Sequence, residues 1–309
     1  MKRTFATTTV AAVALLFVVP ACKGGAGDAA KLIPDAATVM GGVDLKALTS
    51  SDLYTKNEEM MKQDDAGEFM AALEGCKLGK ETWKSVVFGA DPAGGEGKMA
   101  FVVSVDGVGK KENLECIAGK IKEKEGADPW TAEEKDGKLV LTMADGKGTG
   151  WVIDDNTLAV AGKDWEGSVK ELIDGKGKSA IDNSLKDVIG RTDTGKPIWA
   201  AGKIPAEMAE GPAAGAKDAA GWVDLSAGLE LLASVGFDTE ETAKAKADEA
   251  TKMFETVKGG AAAFGIPETV VNSVKIEAKG NAVQVTGKAS KEEISTISDA
   301  AKKAMGGGA

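Results

Sequence analysis

The sequence of 309 residues contains no histidine, one tyrosine, three cysteines and only two arginines, Arg3 and Arg191. Without histidine, Ser-His-Asp and Cys-His catalysis, His-ligated metal sites and c-type haem attachment are all excluded. The common side-chain switch near neutral pH is excluded with them. Scarcity of arginine matters as well. Phosphate and carboxylate sites lean on the planar guanidinium fork, so extended anion recognition is not expected.

Positive charge is outweighed: 38 basic residues face 48 acidic ones, a formal net charge of −10. Removing residues 1–21 takes away Lys2 and Arg3 and leaves −12. Such a field repels nucleic acid and anionic lipid headgroups, and no nucleic-acid partner is expected. The Lys/Glu/Asp surface reads as solubility. With 43% hydrophobic residues the chain has enough apolar material for folded cores.

The N-terminus reads as an address. Lys2 and Arg3 precede a nearly continuous apolar run from Val10 to Val19, too short for a comfortable membrane span. The run ends at Val19-Pro20-Ala21-Cys22. This resembles the lipobox of bacterial lipoproteins, with a branched apolar residue three before the cysteine and a small one just before it; Pro20 departs from the usual pattern. A thiol at Cys22 would take a diacylglycerol, and cleavage before it would free an amine for a further acyl chain, giving stable attachment. The alternative is an ordinary signal peptide with a cysteine nearby. Residues 1–21 are read as signal peptide and 22–30 as lipidated Cys22 plus a flexible Gly/Ala tether. No later run approaches the length of a membrane span.

Cys76 and Cys116 remain. In an oxidising compartment an even pair tends to join, closing a loop of about 40 residues that the chain-entropy model values at roughly 3–4 kcal/mol. Two buried free thiols are the alternative. Catalytic thiol chemistry has no support, because neither cysteine has a CxxC context or a histidine to work with.

Patterning along the chain gives strands at 36–45, Trp83–Phe88 and Met99–Val105, then a helix over Lys110–Lys124. Strands follow at Lys138–Met143, Gly150–Ile153 and Thr157–Ala161, and a helix at Trp165–Ile173. Residues 46–75 read as helix broken near Asp64–Gly67. In the second half, Pro197–Gly202 is a strand and 211–220 a small-residue loop. Gly221–Leu225 with Leu229–Val235 form a hairpin, and Asp238 caps a helix through about Val257. A hairpin turns at Lys279-Gly280-Asn281, and Glu292–Met305 is a terminal helix. Both halves follow the same order of elements. The expectation is an α+β protein, antiparallel sheets covered by helices, in two similar units at 31–178 and 179–309.

Candidate chemistry is thin. Gly146-Lys-Gly-Thr-Gly150 lacks P-loop spacing and sits between strands. Asp154-Asp155-Asn156 has no calcium-loop continuation and suits a turn. The six tryptophans fall in or beside strand patterns, where core packing explains them. No GxSxG is present. Apolar stripes at Phe69, Met70 and Leu73, and at Met253, Phe254 and Val257, read as helix faces packed on a sheet. A second reading is that sheet and helices enclose an apolar cavity, made adaptable by methionine and small side chains. No cofactor, no metal site and no catalytic residue is expected.

With signal, lipobox, tether, the Ile33-Pro34-Asp35 opening and the Cys76/Cys116 pair in view, the chain resembles envelope lipoproteins of Myxococcus-like bacteria that have no assigned role. The resemblance implies a protein of the bacterial cell envelope, lipid-anchored at the outer membrane, facing the periplasm or the surface. The leading expectation is a non-catalytic structural or interaction module with an envelope protein partner. The alternatives are a carrier or sensor of an apolar ligand such as a lipid, and, third, an enzyme of unknown class.

Overall fold

The computed structural model describes residues 26–52, 54–55, 65–95, 97–135, 137–205, 213–261 and 265–306. The expected signal peptide and Cys22 lie outside the described residues, as do Leu53, Met60 and Met61 of the expected broken helix.

The first half runs through α1 (Ala26–Ala30), β1 (Val39–Asp44), α2 (Leu45–Thr49), α3 (Asp65–Gly75), β2 (Trp83–Ala90) and β3 (Met99–Val105). It continues with α4 (Lys111–Glu125), β4 (Trp130–Lys135), β5 (Lys138–Met143), β6 (Gly148–Asp154), β7 (Thr157–Gly162) and α5 (Glu166–Ile173). The second half runs through α6 (Lys186–Ile189), β8 (Ile198–Lys203), β9 (Asp218–Asp224), β10 (Leu229–Gly236) and α7 (Glu240–Lys258). It ends with α8 (Glu268–Ser273), β11 (Lys275–Lys279), β12 (Ala282–Ala289) and α9 (Lys291–Gly306).

All twelve strands belong to one sheet, in the order β11-β12-β10-β9-β8-β1-β2-β3-β7-β6-β5-β4. Every neighbouring pair is antiparallel. This corrects the expectation of separate sheets. The reason lies in the middle: β1, the opening strand of the first half, pairs on one side with β2 and on the other with β8, from Val39↔Gly202 to Val43↔Ile198. Two edges that would otherwise face water satisfy each other's backbone groups.

Helices lie on both faces. Against one face, Ala29 and Ala30 of α1, Val169 of α5, and Val188 and Ile189 of α6 pack with Met40, Val87, Trp151 and Trp199. Residues 178–189 are tied to the start of the chain. Ser184 donates its Oγ–H to the Asp35 carbonyl at 2.6 Å, and the Ala180 amide donates to the Ile33 carbonyl at 2.9 Å. The expected division between 178 and 179 therefore runs through a shared core. The expected tether is also modified: Ala29 and Ala30 are buried inside the stretch 22–30, because their small side chains let α1 sit close on β1 and β2.

On the other face, α3 and α4 cover one flank, burying Leu73, Leu114 and Ile117 with Leu141 and Leu158. Farther along, Ala243 and Ala247 of α7 pack on Val283, with Val235 and Ile276 beside them. At one end of the middle strands, Leu48 of α2 and Tyr54 close over Val43 and Ile198.

Candidate functional site

The register brings a single line of residues across the whole sheet on the face that carries α3, α4 and α7. From edge to edge it reads Ile276, Val285, Ala233, Gly221, Ala200, Gly41, Phe88, Phe101, Val160, Gly150, Leu141, Ala132. None of these side chains is polar. The adjacent line through Val39 includes Val283, Val235, Ala219, Gly202, Ala90 and Met99. The line through Val43 includes Leu231, Val223, Ile198, Val86, Val103 and Leu158. These two lines are free of polar side chains as well. Residues two apart along a strand share a face, so the three lines form one continuous apolar surface.

Among the described residues, helices lie over its two flanks and over the Val43–Ile198 end, and the central line is left open at Ala200 and Ala233. Leu141 is fully buried beneath α3 and α4. In the middle, Ala200 and Ala233 are exposed and Phe88, Phe101, Leu231 and Val285 are only half-buried. Small residues make this floor low over β8, β9 and β10, where Gly221 lies between Ala200 and Ala233; over β1 the Phe88 ring lies against Gly41. The result is a trough with an apolar floor, walled by α3 and α4 on one side and α7 on the other, and closed at one end by α2 and Tyr54.

The wall at α3 and α4 is fixed covalently. Cys76, just after α3, is bonded to Cys116 of α4, with an S–S distance of 2.07 Å and Cα atoms 5.8 Å apart. Above this bond the two helices leave a groove of about 290 Å³ with Phe69, Ala72 and Ile121 in its floor and Lys120, Lys124 and Glu125 on its rim. Lys120 is engaged by Glu123 at 2.8 Å.

The opposite face carries polar groups at its β9–β10–β12 end. Arg191 pairs with Asp218. Lys196 Nζ donates to Asp224 Oδ2 at 2.9 Å and lies 4.6 Å from the centre of the Trp222 ring. The Asp224 bond holds the Lys196 ammonium above its ordinary value, against an opposing effect of burial. Burial is the largest single influence on Asp224 and pushes it up. The Ser226 amide and hydroxyl, together with Lys196, overcome it and leave the carboxyl below its ordinary value. These pairs neutralise one another and present no free charge to a ligand.

The turn motifs behave as turns. The Asn156 amide donates to Asp154 Oδ1 at 2.7 Å, and Lys147 closes on Asp145 in the same way at 2.9 Å. Trp83, Trp151, Trp165 and Trp199 are buried. One apolar stripe is not where the sequence placed it: Met253 and Val257 of α7 are 50% and 65% exposed. That helix packs on the sheet through Ala243 and Ala247 in its first half, and Met253 and Val257 in its second half take no part in that cluster. Among the described residues no group of three or more acidic or cysteine side chains is placed to hold a metal ion. No described helix is long and apolar enough to cross a membrane.

No protein-family model and no curated protein matches the chain.

The trough was the feature the sequence left unnamed. A signal for it exists: MAFVVSV and IWAAGK carry mostly apolar residues at both odd and even positions. A strand with that pattern is built for two apolar environments. Among the described residues, no helix covers the central line at Ala200 and Ala233.

Proposed function

We propose that this chain is a lipid-anchored protein of the bacterial envelope, a non-catalytic binding module that works through the open apolar face of its sheet. The observation that carries this reading is the central apolar line through Val285, Ala233, Gly221, Ala200 and Phe88, with Ala233 and Ala200 exposed where it crosses β10 and β8. An exposed apolar surface of this continuity costs solubility and is normally kept for a binding partner. The anchor rests on the Val19–Cys22 sequence and its resemblance to a lipobox. With α1 seated in the core, only a few residues would separate Cys22 from the folded body.

The two halves support a reading as similar units. Each opens with a three-stranded meander, β1-β2-β3 and β8-β9-β10. Each then crosses through a long helix, α4 or α7, and returns a strand to the third position, β7 beside β3 and β12 beside β10. The first unit adds the hairpin of β4 and β5. The units meet through their opening strands, which makes the trough a joint product of both.

Cell fractionation tests the anchor. Cys22→Ala should move the protein from the membrane to the soluble fraction; unchanged membrane retention would refute it. Ala200→Glu with Ala233→Glu tests the face. Both positions are exposed, so folding should be kept while binding through the trough is lost.

A further inference from the structure

We infer that the occupant of the trough is the hydrocarbon part of a separate lipid molecule, one or two acyl chains lying across β10, β9, β8, β1 and β2. The inference rests on the binding-face reading above and names the chemistry of its partner.

Charge complementarity comes first. A protein partner brings backbone amides and polar rim residues that need hydrogen bonds. Across the three lines from Val285 to Phe88 no side chain can donate or accept one, and none is charged. The backbone groups there are already used in the sheet. A hydrocarbon asks for none of these things. It gains from burial alone, at roughly 25 cal/mol per Å².

Size is the second consideration. Val285 and Phe88 lie on strands five spacings apart in the sheet order. At the usual strand spacing the open line is at most roughly 24 Å long, and with Val43 and Ile198 buried on one side and Val283 on the other it is about 7 Å wide. That is under about 200 Å², against about 800 Å² that each partner gives to a stable protein interface. A second copy of this chain or another folded protein would be held too weakly. An extended chain of methylenes fits the length and the width.

The protein's own lipid is the wrong source. Residue 26 begins a helix on the opposite face of the sheet.

The test uses the full chain carrying Cys22→Ser, so that no covalent lipid is present. After delipidation it is titrated with a fluorescent naphthylamine probe, then with palmitate as competitor. The expected result is saturable probe binding, displaced by palmitate and weakened at least tenfold by Ala200→Glu or Ala233→Glu. Met253→Glu, at an exposed position of α7 outside its contact with the sheet, should leave it unchanged. Circular dichroism on each variant establishes that the fold is kept. Absence of saturable binding, or equal binding by the floor variants, overturns the inference. A photo-crosslinker placed at residue 233 in cells separates the two levels. Crosslinks to lipid support both readings. Crosslinks to a protein keep the binding face and remove the lipid. Crosslinks to neither remove both.

Discussion

Gly41 and Phe88 face each other across β1 and β2, and the phenylalanine ring fills the space that a β-carbon on Gly41 would need. Ring atoms Cε1 and Cζ lie 2.8 Å from that point, and so does the backbone carbonyl oxygen of Trp199. Glycine is required here for close approach.

Gly41→Ala should therefore destabilise the fold by roughly 1–3 kcal/mol, the range for overfilling a packed site. Adding Phe88→Leu should recover only part of the loss, because the Trp199 carbonyl belongs to the neighbouring strand and cannot swing away. Urea unfolding at an unchanged slope checks both statements. Full recovery in the double variant would show that the ring alone sets the requirement.

The covalent link between α3 and α4 predicts a separate loss. The loop it closes spans 40 residues, so Cys76→Ser with Cys116→Ser should cost about 3–4 kcal/mol by the chain-entropy model. Isolated helices as short as α3 are marginal in water, so protection there should fall first. Hydrogen exchange of residues 69–76 and 111–125, with and without reductant, is the measurement; identical protection in both conditions would count against the link as a staple.

Stability near Asp224 should depend on pH in a defined direction. Its folded-state value lies below the ordinary carboxylate value, so its contribution is complete above that ordinary value. It is lost as pH falls through the lowered one. Lys196 is raised, and its contribution is complete below the ordinary lysine value and lost as pH rises through the raised one. Asp224→Asn should cost roughly 1.5–3 kcal/mol at neutral pH, as for a charged hydrogen bond. Melting curves of wild type and variant should converge under strongly acidic conditions; a constant gap down to pH 2 would assign the effect to packing.

Most strands were legible because their signals are local. Met99–Val105 and Lys138–Met143 alternate or run apolar between turn residues, and Lys279-Gly280-Asn281 sits where β11 turns into β12. β4 was not legible: WTAEEK has five exposed positions of six and joins the sheet only through β5. α8 and α6 are shorter than two turns and leave no period to read. The helix start expected at Asp238 is one residue later. Thr239 accepts the Thr242 amide at 3.1 Å, and two neighbouring cap-forming residues cannot be told apart by type. Cys76 and Cys116, expected as a pair, lie at disulfide distance.

The continuity of the sheet and the trough were beyond reach for one reason. Both depend on β1 meeting β8, a contact between residues 39–43 and 198–202. No local pattern encodes which of several apolar strands will be neighbours. The exposure of Met253 has the same origin, since periodicity reveals that a helix has an apolar face but not how much sheet lies beneath it.

That central seam also orders events in time. β1 emerges early, and its second neighbour is made about 155 residues later, roughly 10–30 s at ordinary rates of synthesis. Throughout that interval a bare edge with two adjacent glycines, Gly41 and Gly42, must stay unclaimed by any other chain. A growing polypeptide stalled before residue 198 would carry half of a sheet with its middle torn open, and its hazard would be adhesion to its own kind rather than failure to fold.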